Sequence, residues 1–201
     1  MIKLSAEIIS NGVAYEIKNL LDISFNGQDR SDAAKPCWGI KSNSGRVEFR
    51  DDKNLINELK YNGNLSTSRI NIELTVYDRK VSLGDFKVTN AYKNPQGDLT
   101  ILEFEDYLIT WQNVQMKRYY CPYDQDVSIK DIIDAIISRA DEYIEYANFT
   151  TENRLKNYYI AFPLIEEGSL WSQMKKICEV SSCYIYCDHR GVPNIYYGGD
   201  T

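Results

Sequence analysis

The sequence predicts an α+β fold that is rich in β-strands. Residues 1–120 are expected to form an antiparallel β-barrel or sandwich, and residues 121–201 a smaller α/β domain of two helices and a C-terminal hairpin. Sixteen tyrosines and many Ile, Val and Thr residues favour sheet, because aromatic and branched side chains pack well on a pleated surface. Apolar and polar residues also alternate along the first 120 residues, whereas two later segments have helical spacing.

The first strands are predicted from apolar residues at every second position: Leu21, Ile23 and Phe25, then Val47 and Phe49. The segment KNLINELK at 53–60 follows, and its apolar residues have the spacing of a short helix. Alternation resumes in RINIELTVYD at 69–78, which places four apolar residues on one face: Ile70, Ile72, Leu74 and Val76. Short strands with turn signals between them are typical of an antiparallel barrel or sandwich.

A hairpin completes the first domain. Its first strand is predicted to carry Phe86, Val88 and Tyr92 on one face, and the residues NPQG at 94–97 are typical of a turn. The second strand follows directly and has three apolar residues: Ile101, Leu102 and Phe104.

The strand pattern ends at YYCPYDQD, residues 119–126, where Pro122 and several polar residues predict the domain boundary. Ser128 then opens a helix, and Asp131 at the third helical position imitates a capping box. The apolar face of this helix has six residues: Ile129, Ile132, Ile133, Ile136, Ile137 and Ala140.

The rest of the second domain is predicted as a strand, a helix and a hairpin. The segment NYYIAF at 157–162 favours a strand, and Ser169 caps the second helix. The buried stripe of that helix is expected to contain Leu170, Trp171, Met174, Ile177 and Cys178. The first helix is too apolar to stay uncovered, so we expect it to pack on the sheet that contains 183–197.

The segment CYIYCDHRGVPNIYY at 183–197 holds two of the chain's five cysteines and its only histidine within seven positions. A zinc site would need Cys178, Cys183, Cys187 and His189, but their spacing lacks the C-x2-C pair that is usual in structural sites. A thiolate activated in a Cys187–His189 dyad would need a third orienting group and a pocket.

Alternation in this segment favours a hairpin without chemistry. Cys183, Ile185 and Cys187 share the face toward the preceding helix, whereas the neighbouring tyrosines share the other. Gly191 stands where the turn needs a positive φ, which places His189 at an exposed tip. We therefore predict buried, reduced thiols and no bound metal.

The net negative charge of the chain comes from the second domain. Residues 1–120 carry 16 basic and 16 acidic side chains, whereas residues 121–201 carry 7 and 13. A basic patch that grips phosphates is therefore not expected there, which argues against sequence-specific nucleic-acid binding. No apolar run approaches the roughly 20 residues that span a bilayer, so no membrane anchor is expected.

Other polar groups in the sequence are candidate sites. Glu103 and Glu105 share one face of a strand and could serve as a glycosidase pair, although a solvated strand face explains them more simply. Asn26, Asp29 and Asp32 could bind calcium, but their spacing of three does not match the alternate ligands of an EF-hand loop. Tyrosine-rich runs such as YYCPY and NIYY could stack on sugars, yet strand tyrosines are more often packing partners.

The order of segments carries a further signal. GDFKVTNAYKNPQGDLTILEFEDYL is followed by SIKDIIDAI, SLWSQMKKICEVSSC and YIYCDHRGVPNIYY. This order resembles the hub and tail-associated proteins at the distal end of tailed-phage tails, whose analogues occur in contractile injection systems. In that family a tube-like β-barrel domain precedes a smaller α/β domain in which a helix leads to a hairpin of the form Y-I-Y-x-D-x-x-G-x-P-x-I. The resemblance covers roughly residues 65–200.

The resemblance implies a structural component of a phage tail tip or baseplate hub. Such proteins assemble as a trimeric ring, close the tail tube and attach fibre, spike or lytic appendages. It also implies a place in the virion tail after synthesis in the host cytoplasm. We therefore expect a non-enzymatic assembly protein without catalytic residues, cofactor or metal. Two alternatives stay open: a carbohydrate- or receptor-binding module of a tail that uses surface tyrosines, and a glycan hydrolase that uses Glu103 and Glu105.

Overall fold

The computed structural model describes residues 2–27, 39–61, 65–120, 127–140, 150–159 and 164–198. Its strands are β1 (Ile2–Ser10), β2 (Val13–Glu16), β3 (Leu20–Gly27), β4 (Gly39–Lys41), β5 (Asn43–Phe49), β6 (Arg69–Val76), β7 (Arg79–Lys93), β8 (Thr100–Glu105), β9 (Gln115–Met116), β10 (Tyr119–Tyr120), β11 (Thr150–Thr151), β12 (Leu164–Ile165), β13 (Gly168–Ser169), β14 (Cys183–Cys187) and β15 (Pro193–Tyr197). Its α-helices are α1 (Leu55–Tyr61), α2 (Ile129–Ala140) and α3 (Leu170–Ser181), and its 3₁₀ helices are Leu65–Thr67, Tyr107–Gln112 and Asn153–Asn157. The α+β, strand-rich class is confirmed.

The chain divides into two compact units. The first contains 2–27 and 43–106 together with 189–191, and the second contains the remaining described residues. The predicted domain boundary after residue 120 falls inside the second unit. The reason is packing, because the residues after Asp106 turn into the second core: Leu108, Trp111, Val114 and Met116. Pro122, where the boundary was expected, lies outside the described residues.

A seven-stranded antiparallel sheet forms the first unit. Its strand order is β2-β1-β6-β7-β8-β5-β3, so β2 and β3 are its edges. Strand pairing places the alternating apolar residues on one inner face, with Ile8 opposite Ile70 and Val47 opposite Leu102. Helix α1, predicted at 53–60, buries Ile56 and Leu59 in the same core. The hairpin predicted around 94–97 joins β7 to β8.

Three aromatic rings meet in this core, two from the neighbouring strands β7 and β8 and one from β3, which β5 separates from β8. Phe25 on β3 lies 5.9 Å from Phe86 on β7 and 5.6 Å from Phe104 on β8, measured between ring centroids. Gly45 on β5 makes room for them, since a Cβ atom there would stand 2.5 Å from the Phe104 ring and 2.3 Å from the Ser24 carbonyl. The sheet is therefore curved enough for its inner face to pack on itself.

Register shifts correct two of the predicted faces. Leu21 is an extra residue between Leu20 and Asp22, so Leu20 packs on the core and Leu21 is 54% exposed. A second shift after Val88 buries Ala91 and leaves Tyr92 40% exposed. The prediction that Leu21 shares a face with Ile23 is therefore wrong, and so is the prediction that Tyr92 shares a face with Phe86. A bulge inserts one residue into one strand and exchanges the faces beyond it.

The second unit packs helices on a four-stranded sheet in the order β11-β15-β14-β4. Its core joins the predicted apolar faces of α2 and α3 to the inner residues of β14 and β15, Cys183, Ile185 and Ile195 among them. Ser128 caps α2, because the Asp131 N–H donates to its hydroxyl at 3.2 Å. The Asp131 carboxylate accepts from that same hydroxyl at 2.6 Å, a bond that differs from the one to the backbone N–H in a capping box. Ser169 caps α3 by accepting from the Ser172 N–H at 3.1 Å.

Two features of this unit depend on distant segments. β4 pairs in parallel with β14, with Ile40 opposite Ile185, although more than 140 residues separate them in the chain. The strand expected at 157–162 is described only as far as Tyr159, which forms a single bridge to Ser128. No helix in the described residues is long and apolar enough to cross a membrane.

Candidate assembly surfaces

The outer edge of β3 is an open sheet edge of the first unit. On one side β3 pairs with β5, and no strand in the described part of the chain pairs with its other side. Its sequence, LLDISFNG, contains neither Lys nor Pro, the residues with which proteins commonly protect an edge. Leu21 and Phe25, 54% and 44% exposed, add apolar surface there. An edge of this kind offers backbone donors and acceptors to another strand.

The opposite edge of the sheet is β2, a short strand that pairs only with β1 among the described residues. Val13 at its start is exposed. One edge-to-edge contact that these strands could form joins β3 of one copy to β2 of the next. Such a contact is heterologous, and repeated around an axis it can close into a ring.

A cavity of about 430 Å³ opens where β2 leads toward β3. Its apolar wall consists of Tyr15, Ile17, Phe49 and Leu55. Charged side chains complete the lining: Glu16, Lys18, Arg50, Asp51, Asp52, Lys53 and Glu58. Two of these carboxylates already have roles, because Asp51 accepts from the first N–H groups of α1 and Asp52 accepts from the Asn19 amide. The cavity is of ligand-binding size, and it combines an apolar wall with a charged rim.

The turn between β6 and β7 forms an exposed apolar end of the sheet. Tyr77 at the turn is 80% exposed, and Ile2 and Val81 on the adjoining strands are 72% and 50% exposed. In register, Ile2 lies opposite Val76 and Val81 opposite Leu74, so this surface continues the inner face of the sheet. We call Ile2, Tyr77 and Val81 the hairpin end.

Three tyrosines of β14 and β15 stack on the face away from the core. Tyr186 lies 5.3 Å from Tyr196 and 6.0 Å from Tyr184 between ring centroids, with interplanar angles of 11° and 15°. A hydrogen bond to Tyr196 is the main cause that raises the pKa of Tyr186 to about 12, and burial adds to it. All three rings are half-buried. Tyr197, also in the NIYY run, instead stacks on Tyr158 beside the core.

The carboxylate pair lies on the outer face of the first sheet. Glu103 accepts from the Tyr92 hydroxyl at 3.0 Å and from the Asn90 amide at 3.3 Å. The bond to Glu103 raises the pKa of Tyr92. Glu105 lies opposite Lys87 in the register of β7, and neither glutamate lines the cavity described above. The structure thus places both glutamates on a strand face, with side-chain partners for Glu103.

The cysteine and histidine segment folds as its alternation predicts. Cys183 is fully buried beside Cys178, Cys187 is half-buried, and His189 is exposed at the turn. Gly191 has a φ of 74°, as the turn requires. Burial raises the pKa of the Cys178 and Cys183 thiols, which disfavours the thiolate that metal binding or nucleophilic attack would need.

Metal ligands are not assembled elsewhere in the described residues: no group of three or more His, Cys, Asp and Glu side chains there could hold an ion. Of the calcium candidates, Asp29 and Asp32 lie outside the described residues. Asn26 is described, and its carbonyl accepts from the Ser44 hydroxyl at 3.3 Å.

The sequence reasoning did not identify which strands form the open edges, and it missed the cavity and the hairpin end. Their signals were available only in part, since exposed Leu21 and Tyr77 look like ordinary strand residues until the register is known. One clue was the YD pair at 77–78, which occupies the place where a hairpin turn prefers Asn or Gly.

No protein-family model matches the chain, and no curated protein matches its sequence. Solved structures do share its fold. The tail protein of Neisseria meningitidis MC58 superposes with a TM-score of 0.55 at 8% identity, over 96% of this chain and 50% of that chain. The 43 kDa tail protein of prophage MuSo2 from Shewanella oneidensis gives 0.56 at 10% identity, over 99% and 57%.

A third structure with this fold is a chain of the Francisella PdpA–VgrG complex. It superposes with a TM-score of 0.52 at 13% identity, over 99% of this chain and 29% of that chain. This chain therefore spans about half the length of the two tail proteins and less of the third. The predicted resemblance to phage tail proteins is confirmed at the level of the fold.

Proposed function

We propose that this chain is a structural subunit of a phage-type tail, placed in the tail tip or baseplate hub, where it closes the tail tube and attaches distal appendages. The observation that carries the proposal is the superposition of 96% or more of the chain on two phage tail proteins and a VgrG complex. The likeness includes both units. A tail location in the virion, after synthesis in the host cytoplasm, follows from the same proposal.

The open edges supply a physical route to assembly. Pairing β3 of one copy with β2 of the next would satisfy the exposed backbone groups of both strands. Head-to-tail contacts of this kind must close into a ring to avoid endless polymers. A trimer is the ring size that the family resemblance implies, and neighbouring tail tube, fibre or spike proteins would then bind the faces of that ring.

The charge distribution suits a tube through which DNA passes. The net charge of −6 arises from the last 81 residues, since the first 120 are balanced. A surface of that sign repels a polyanion. We therefore propose no sequence-specific contact with nucleic acid.

The test changes the edge and leaves the rest of the chain intact. Leu21→Lys places a charge on the open β3 edge, and we expect it to block incorporation of the chain into tails. Val180→Lys on α3, which is 61% exposed, is the matched control and should assemble normally. Thermal melting must show both variants folded, as expected for exposed positions. Normal tails from Leu21→Lys would contradict the proposal.

Absence of catalysis is part of the proposal and needs its own test. The double variant Glu103→Gln, Glu105→Gln should assemble into fully infectious particles. If the variant lost a measurable glycan-cleaving activity while tails still assembled, the hydrolase alternative would be correct and the non-enzymatic proposal wrong.

A second candidate function is favoured by the tyrosine stack. Tyr184, Tyr186 and Tyr196 form a near-parallel aromatic cluster, and aromatic rings are common in sugar-binding surfaces. In this alternative the chain would bind a carbohydrate or receptor as part of a tail. If this alternative is correct, the purified wild-type chain should bind glycans or cells, and Tyr184→Ala should abolish that binding. The assembly proposal expects the wild-type chain to bind neither glycans nor cells.

A further inference from the structure

The turn at the hairpin end has an unfavourable backbone conformation for its sequence. Tyr77 and Asp78 have φ angles of 46° and 66°, the left-handed conformation that both central residues of a type I′ turn require. The β1–β2 turn of the same sheet uses Asn11 and Gly12 at 49° and 78°, residues that suit this conformation. A bulky side chain at positive φ is an outlier and costs stability. A turn sequence such as Asn-Gly would adopt this conformation with less backbone strain than the Tyr77–Asp78 turn does.

The tyrosine is also placed for contact with another molecule. It is 80% exposed at the tip, with exposed Ile2 and Val81 beside it. Exposed cations surround the same end, Lys3 and Arg79, while Lys80 is bonded to Glu73 at 3.0 Å. Asp78 is the one exposed acid of the turn itself. Tyrosine and arginine, like tryptophan, are enriched among the residues that contribute most to binding at protein interfaces.

The cavity of the first unit has the apolar and charged surfaces that a contact with the hairpin end requires. Its apolar wall is formed by Tyr15, Ile17, Phe49 and Leu55, and its rim carries four carboxylates against three cations. Its volume of about 430 Å³ can accept an aromatic side chain together with part of a turn. The rim therefore has one excess negative charge. The charged residues beside the hairpin end, Lys3, Arg79 and Asp78, have one excess positive charge.

We propose that the Tyr77 turn of one copy inserts into this cavity of a second copy of the chain. Insertion within one copy is excluded by the register. Val76, next to the turn, lies opposite Ile2 of β1, whereas Glu16 of the cavity lies opposite Glu7 of β1. Ile2 and Glu7 are five residues apart, so the turn and the cavity are separated by about 17 Å along this strand. The contact is heterologous and can serve a ring. The inference rests on the proposed assembly function, because it names one self-contact of that assembly.

A photo-crosslink tests the contact directly in the full chain. Benzoylphenylalanine replaces Tyr77, the purified chain is irradiated at rising concentration, and the crosslinked peptides are identified by mass spectrometry. Crosslinked dimers should join position 77 to residues 15–19 or 49–58. The same probe at Tyr159, which is 60% exposed, is the control and should give no crosslink to those residues. Absence of dimers, or crosslinks that map elsewhere, would overturn the proposal.

Paired variants separate binding from folding. The double change Tyr77→Asn, Asp78→Gly relieves the turn, so the thermal midpoint should rise while the fraction of self-associated chain falls at least several-fold. Glu58→Lys in the cavity should lower self-association and leave the thermal midpoint unchanged. Tyr77→Phe keeps the ring and should keep the association. If the Tyr77→Asn, Asp78→Gly variant has a higher thermal midpoint but associates like the wild type, Tyr77 has no role in binding.

The outcomes distinguish this inference from the broader proposal. Loss of tail assembly in Leu21→Lys, together with normal assembly of the relieved-turn variant, would overturn the Tyr77 contact and leave the tail function supported. Normal tails from both variants would overturn both.

Discussion

At the scale of single residues, the cysteines show why a cluster in sequence need not be a site. Alternation alone predicted that Cys183 and Cys187 face the helix bearing Cys178, and the structure confirms it. Burial raises the pKa of the Cys178 and Cys183 thiols. We expect iodoacetamide at neutral pH to label Cys187 and to spare these two in the native chain, with peptide mapping as the measurement. Full labelling in urea is the control. Stoichiometric zinc in protein purified without a metal-affinity step would contradict the no-metal prediction.

The tyrosine stack gives a pH-dependent prediction at the same scale. The pKa of Tyr186 is raised from about 10 to about 12 in the folded chain, so its contribution to stability is complete below pH 10 and is lost as the pH rises toward 12. Tyr196→Phe removes the main cause, and the pKa of Tyr186 should move back toward 10. Ultraviolet titration of tyrosinate measures this directly. Tyr159→Phe, at an exposed tyrosine, should leave the Tyr186 titration unchanged.

At the scale of elements, helices were predictable and strand register was not. The two long helices depend on local signals, a serine cap and a 3.6-residue apolar period, and every predicted core residue of α2 is buried. The bulges at Leu21 and after Val88 depend on the partner strand, which no local pattern reveals. The β4–β14 pair depends on residues far apart in the chain. The exposed edges, which carry the functional proposal, follow from that non-local pairing.

The Ser128 cap of α2 yields the prediction for this scale. Ser128 both accepts from the Asp131 N–H and donates to the Asp131 carboxylate. Ser128→Ala should lower the free energy of unfolding by about 0.5–2 kcal/mol, the range typical of lost N-caps. Urea denaturation measures the change. Ser128→Asp restores an acceptor at the cap but faces Asp131, so it should recover only part of the loss. Equal stability of Ser128→Ala and the wild type would show that the Ser128 cap contributes nothing.

At the scale of the whole molecule, the two cores were predictable, whereas the exchange of segments between the two units was not. Composition separated a strand-rich part from a helix-containing part, and the structure shows one apolar core in each. The chain, however, does not pass from one unit to the other only once. β4 belongs to the second unit although β3 and β5 on either side belong to the first, and the turn His189–Gly191 belongs to the first. Sequence reasoning that cuts a chain at one point cannot anticipate such an exchange.

This interleaving predicts the behaviour of a chain cut after Pro122. A fragment covering 123–201 would lack β4 and also Leu108, Trp111 and Met116, which belong to the core of the second unit. Expressed alone it should therefore be unfolded or aggregated, because each lost core side chain costs roughly 2–5 kcal/mol. Co-expressed with 1–122, it should form a folded complex that elutes at the size of the intact chain and separates only in denaturant. Circular dichroism and size-exclusion chromatography of the separate and combined fragments make the measurement. If 123–201 alone melted cooperatively at the temperature of the intact chain, the second unit would be independent of the preceding residues, and the predicted boundary near 120 would be the correct one.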